Sequence, residues 1–71
     1  MDYKKVDARG LSCPIPVMHV TKTIKKESGS FKVLIDDETS FENVMRTLEN
    51  FNLEVEKTEE EDDYKTIFVV R

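Results

Sequence analysis

Asp7-Ala8-Arg9-Gly10-Leu11-Ser12-Cys13-Pro14-Ile15-Pro16-Val17 holds the only cysteine of the 71-residue chain, both of its prolines and one of its two glycines. It reads as the joint between a strand and a helix. Gly10 is free to take a positive φ, which lets a loop turn sharply. Pro14 suits the first helical position, because its missing N–H would be unpaired there in any case. Pro16 still falls within the first turn, where proline is tolerated. The spacing therefore predicts a helix that begins at Pro14, with Cys13 at its N-cap. Val17, Val20, Thr21 and Ile24 fall on one face of that helix. It is expected to run to about Glu27 and to end at Ser28-Gly29-Ser30. Lys25 and Lys26 would then complement the dipole at its C-terminal end.

Working outward, Tyr3-Lys4-Lys5-Val6-Asp7-Ala8 alternates weakly and reads as a first strand, at an edge because lysines suit an edge. Phe31-Lys32-Val33-Leu34-Ile35-Asp36 is the most apolar central segment and reads as an inner strand. Asp37-Glu38 reads as a turn. Thr39-Ser40-Phe41-Glu42 has a capping-box pattern, with Thr39 as the cap and Glu42 reaching back. Phe41, Val44, Met45, Leu48 and Phe51 recur at three and four residues, the stripe of a second helix ending near Asn50 to Asn52. Leu53-Glu54-Val55-Glu56-Lys57-Thr58 alternates at period two. Glu61-Asp62-Asp63 turns the chain into Tyr64-Lys65-Thr66-Ile67-Phe68-Val69-Val70, and the last two strands should pair as an antiparallel hairpin. The order is β-α-β-α-β-β. Right-handed crossovers would place both helices on one face of a mixed four-stranded sheet, a two-layer α/β sandwich with the other face open. Residues 1–71 read as one domain. Its core is expected from the helix stripes with Phe31, Val33, Ile35, Leu53, Val55 and alternate residues of the last strand.

Composition narrows the function. One cysteine excludes an intrachain disulfide, and one cysteine with one histidine cannot supply the usual four ligands of a zinc site. Asp36-Asp37-Glu38 lacks further ligands and reads as turn and cap, so neither metal nor cofactor is expected. The N-terminal residues are polar and charged and do not resemble a signal peptide. The longest apolar run, Ile67-Phe68-Val69-Val70, is too short to span a bilayer, so no membrane insertion is expected. A free thiol without an export signal points to a reducing compartment, the cytoplasm. The net charge is −4, which argues against direct nucleic-acid binding. Residues 54–63 hold seven acids, Glu54, Glu56, Glu59, Glu60, Glu61, Asp62 and Asp63, read as a solvated strand end and turn. Lys22, Lys25 and Lys26 read as a solvated helix face.

At a helix N-terminus, unpaired N–H groups and the positive end of the dipole favour an anion. A cysteine there has its thiolate favoured, and the thiolate is the reactive form. Arg9, four residues earlier, could add positive charge. Against this, free cysteine often serves as a small buried hydrophobe. Spacing alone leaves both readings open. His19 lies six residues beyond Cys13, a separation at which helical side chains diverge, so it does not read as a catalytic base. Pro16 stands where a Cys-x-x-Cys motif would place its second thiol, so no internal resolving cysteine exists. Whatever this thiol accepts must leave to another molecule, which describes a carrier more than a self-contained enzyme.

Asp7-x-Arg9-Gly10-Leu11-x-Cys13-Pro14-x-Pro16-Val17 resembles the signature of the TusA-like (SirA-like) sulfur carriers, with its Cys-Pro-x-Pro core. The resemblance extends over the length, the element order and the Asp36-Asp37 approach to the second helix. Glu42-Asn43-Val44-x-Arg46 is similar to the branch that includes YedF, linked to selenium metabolism. The resemblance implies a persulfide on Cys13, loaded by a donor such as a cysteine desulfurase or a rhodanese-like protein and relayed to a downstream acceptor protein. On the same grounds Asp7, Arg9 and Gly10 would hold the loop, and Pro14 and Pro16 would shape the helix start. Ile15 stands where some carriers have an acid and Ser12 where they have a base, so a role in tRNA thiolation is not carried over. The competing class is a binding or regulatory module of the same fold with a structural Cys13. Cys13→Ser separates the two, since only a carrier depends on the sulfur.

Overall fold

The computed structural model describes residues 3–11, 15–26 and 29–70. Its elements follow in the order β1 (Lys4–Asp7), α1 (Ile15–Lys26), β2 (Phe31–Ile35), α2 (Glu38–Asn50), β3 (Glu54–Glu60) and β4 (Lys65–Val70). They build one mixed four-stranded sheet in the order β1-β2-β4-β3. β1 runs parallel to β2, with Val6 opposite Val33. β4 lies antiparallel to both β2 and β3. β2 and β3 therefore run the same way with β4 between them, so α2 carries the chain over β4 to the far edge and the hairpin brings it back.

The sequence accounts for this order. β4 carries the unbroken apolar run Ile67–Val70 and takes an inner place, with Ile67 and Val69 fully buried. β3 is charged and exposed along nearly its whole length and takes an edge. Its pairing with β4 slips between Val55 and Lys57, a bulge of the kind that breaks the regularity of an edge strand. β1, with Lys4 and Lys5 exposed, forms the other edge.

One core lies between sheet and helices. It joins Val6, Ala8, Val20, Ile24, Phe31, Val33, Ile35, Val44, Leu48, Ile67 and Val69, with Leu11, Val17, Phe41, Met45, Leu53 and Val55 half-buried against it. All the strand positions expected in the core are found there, though Leu53 and Val55 are only half-buried. Phe51 departs from its expected place on the α2 stripe. It is the C-cap and is 40% exposed. The chain leaves α2 through Asn52 in the left-handed region at φ 60°. Asn52 N–H donates to Glu49 O and Leu53 N–H to Leu48 O, a Schellman closure that turns Leu53 back against the core.

The start of α2 also differs from expectation. Asp37, not Thr39, is the N-cap, and its carboxylate accepts from Ser40 N–H at 2.9 Å. β2 ends at Ile35, so Asp37 already has the extended φ and ψ that a cap requires. Thr39 and Glu42 then fall inside the helix. Lys65 of β4 ties this helix start to the sheet, bonding Glu38 at 2.8 Å and lying 4.6 Å from the centre of the Phe41 ring.

Among the described residues, no helix covers the opposite face of the sheet. Leu34 and Thr66 are nonetheless buried at its centre, facing each other across β2 and β4. Tyr3 and Phe68 meet edge to face beside them at 5.2 Å.

Candidate functional site

The parallel directions of β1, β2 and β3 bring three connections to one end of the sheet: the loop from β1 toward α1, the Asp36-Asp37 link into α2, and the β3–β4 turn. The motif residues before the cysteine lie in the first of these. The other two connections hold that loop.

β1 hands the chain to the loop while still attached to the sheet, since Ala8 N–H donates to Leu34 O at 2.9 Å. Asp7 then folds Arg9 back. Its Oδ1 accepts from the Arg9 backbone N–H at 3.2 Å and from Nε at 2.9 Å, while Oδ2 accepts from Nη2 at 2.9 Å. This two-pronged pairing fits the planar fork of a guanidinium. The Arg9 bonds, led by that to the side chain, hold the Asp7 carboxyl well below the usual carboxylate range. The same bond to Asp7 pushes the Arg9 guanidinium further up. Gly10 follows with φ +76°, a conformation strained for any side chain. Its N–H donates to Asp36 Oδ2 at 2.9 Å, across 26 residues of sequence. From the β3–β4 turn, Tyr64 sets its ring 4.8 Å from the Arg9 guanidinium carbon. Tyr64 is itself fixed by its carbonyl, which accepts from Glu61 N–H at 2.7 Å. Leu11 closes the described part of the loop, half-buried against the core.

Asp7, Arg9 and Gly10 are thus brought together in one bonded loop, and Asp36 and Tyr64 complete it. The last two carried no such signal in the sequence. The charge Arg9 could have offered a nearby anion is already engaged by Asp7. Pro16, in the first turn of α1, is fully buried and anchors that turn by packing. The expectations that Cys13 is the N-cap and Pro14 the first helical residue lie outside the described residues. α1 is described from Ile15, and its first turn contains no acidic residue. His19 is exposed on α1, as are Lys22, Lys25 and Lys26. Among the described residues no group of acids, histidines or cysteines is arranged to hold a metal ion. Among the same residues no helix is long and apolar enough to cross a membrane.

This fold, with a pinned loop running into Cys-Pro-x-Pro, matches one family. The model described as Sulfurtransferase TusA matches residues 4–71. A protein of Archaeoglobus fulgidus described as a candidate sulfur carrier is 38% identical over 66 residues, which cover 90% of each chain. The crystal structure of a SirA-like protein from Desulfitobacterium hafniense superposes with a TM-score of 0.82 at 28% identity, covering 93% of each chain. The chain belongs to the TusA sulfurtransferase family. Membership supports a sulfur-carrier role of the TusA type.

Proposed function

We propose that this protein carries sulfane sulfur as a persulfide on Cys13 and passes it to an acceptor protein. The observation that carries the reading is the family match over residues 4–71, a span that contains the Cys13-Pro14-Ile15-Pro16 sequence. In the loading step the Cys13 thiolate attacks the outer sulfur of a donor persulfide. The bond between the donor's two sulfurs breaks, the donor leaves as a thiolate, and Cys13 holds the new S–S bond. In the unloading step an acceptor thiolate attacks that outer sulfur, and Cys13 leaves as a thiolate. The sulfane sulfur changes carrier with no net oxidation, as in thiol–disulfide exchange.

The residues around the thiol have matching tasks. Asp7 and Arg9 hold the approach to the cysteine, Gly10 makes the bend, and Pro14 and Pro16 set the helix start. The positive end of α1 favours the anionic thiolate and persulfide. Donor and acceptor are proteins, the donor a cysteine desulfurase or a rhodanese-like protein, and the reducing cytoplasm is the setting in which a free carrier thiol persists. No cofactor is needed, because the exchange uses sulfur alone.

Intact-protein mass spectrometry tests the proposal. The protein is incubated with a cysteine desulfurase, pyridoxal phosphate and cysteine, beside Cys13→Ser. A gain of one sulfur atom on the wild type alone, reversed by reductant, is the expected result. No gain from the desulfurase or from a rhodanese-like donor, with Cys13 unreactive in the folded protein, would leave a binding module with a structural cysteine.

A further inference from the structure

We infer that Asp36 and Tyr64 are positioning residues for the loop that leads to Cys13, so that the end of β2 and the β3–β4 hairpin tune the reactivity of its thiol. The inference rests on the carrier reading for its purpose, but not for its geometry. A loop between a strand and a helix is normally free to breathe at its glycine. Here the glycine is fixed by a bond from outside the loop, Gly10 N–H to Asp36 Oδ2 at 2.9 Å. Arg9 is held on two sides, by Asp7 through its fork and by the Tyr64 ring at 4.8 Å. Asp7 belongs to the same segment as Arg9, so their pair shapes the loop without anchoring it to anything else. Asp36 and Tyr64 supply the anchors, one from the strand beside β1 and one from across the sheet. Cys13 lies three residues beyond Gly10 in sequence, so the alkylation of its thiol is the readout nearest to the anchored bend. Stabilisation of a thiolate by helix N–H groups falls off within the first turn, and therefore depends on where the sulfur sits.

The test compares Asp36→Ala with Asp36→Asn, and Tyr64→Leu with Tyr64→Phe, reading native alkylation of Cys13 against pH. Asparagine keeps an acceptor for Gly10 N–H and drops the charge, while alanine drops both. Their difference isolates the anchor from the local field. The thiolate fraction below the titration midpoint should be about three- to tenfold lower in Asp36→Ala than in Asp36→Asn, the order of one lost hydrogen bond. Tyr64→Leu should lower it by about two- to fourfold, and Tyr64→Phe, which keeps a ring over Arg9, should match the wild type. Tyr64 lies on the hairpin turn, so its pair decides the matter if Asp36→Ala does not fold. Folded variants with unchanged profiles, whatever their melting temperatures, would overturn the inference. Sulfur loading measured in parallel separates the two claims. Profiles that respond to Asp36 in a protein that never accepts sulfur would retain the anchors and reject the carrier.

Discussion

The two helices begin in opposite ways. α2 supplies its own negative charge, with Asp37 capping Ser40 N–H and Glu38 in the first turn, itself paired with Lys65. α1 has no acid in its first turn, and the residues leading into it from Leu11 are neutral. Both starts lie at the same end of the sheet, so they share surroundings but not electrostatics. A helix N-terminus behaves as roughly half a positive charge, and at α2 that charge is met by the protein's own carboxylates. In the described part of α1 no carboxylate meets it. In this sequence the group standing before it is Cys13, whose anion it would favour. On the proposed carrier reading, one helix start is built for stability and the other is kept for a charge that comes and goes.

This contrast can be tested from each side. Asp37→Ala removes the α2 cap and should destabilise the protein by about 1 kcal/mol in chemical denaturation, with Asp37→Asn close to wild type. Cys13 reactivity should be unchanged, and a large change there would mean that the two helix starts are coupled. Placing an acid at the start of α1 with Ile15→Glu should raise the Cys13 titration midpoint by roughly half a pH unit, read by alkylation rate. A midpoint that stays put would show that the α1 dipole does not reach the thiol. Ser40→Ala should have a smaller effect. The Ser40 hydroxyl is buried without a hydrogen-bond partner among the described residues, so its loss should be neutral or slightly stabilising in thermal melts. A clear loss of stability would reveal a partner. The smallest expected effect is that of pH on the loop clamp. The Asp7 carboxyl titrates below its ordinary range because of Arg9, so the clamp's contribution is fully present above about pH 4 and is lost only as pH falls through the lowered value. The Cys13 alkylation profile between about pH 5 and about pH 9 should therefore contain no step that Asp7→Asn removes.

The sequence made the element order legible because each element had its own signal. Prolines marked α1, an apolar stripe marked α2, and period-two alternation and an apolar run marked the hairpin. The strand order was harder, since nothing local says that β3 takes the far edge and leaves the place beside β2 to β4. It becomes intelligible through burial, with the apolar Ile67–Val70 segment placed inside and the charged Glu54–Glu60 segment outside. At the start of α2 two capping patterns overlap. Thr39 with Glu42 makes the fuller box, yet where β2 ends decides for Asp37. At the site, Asp7, Arg9 and Gly10 were legible as a short motif. Asp36 and Tyr64 were not, because their contacts join segments 26 and 55 residues apart, and only strand register brings them together. Arg9 reads in the sequence as a charge four residues before Cys13, and the structure adds its pairing with Asp7 two residues away.

The most direct test of the reserved α1 start is the titration of Cys13 itself, followed by alkylation rate in the folded wild-type protein. The account predicts fast native alkylation with a midpoint below the value of about 8.5 for a free cysteine. Slow alkylation that requires denaturant, or a midpoint at or above that value, would contradict it.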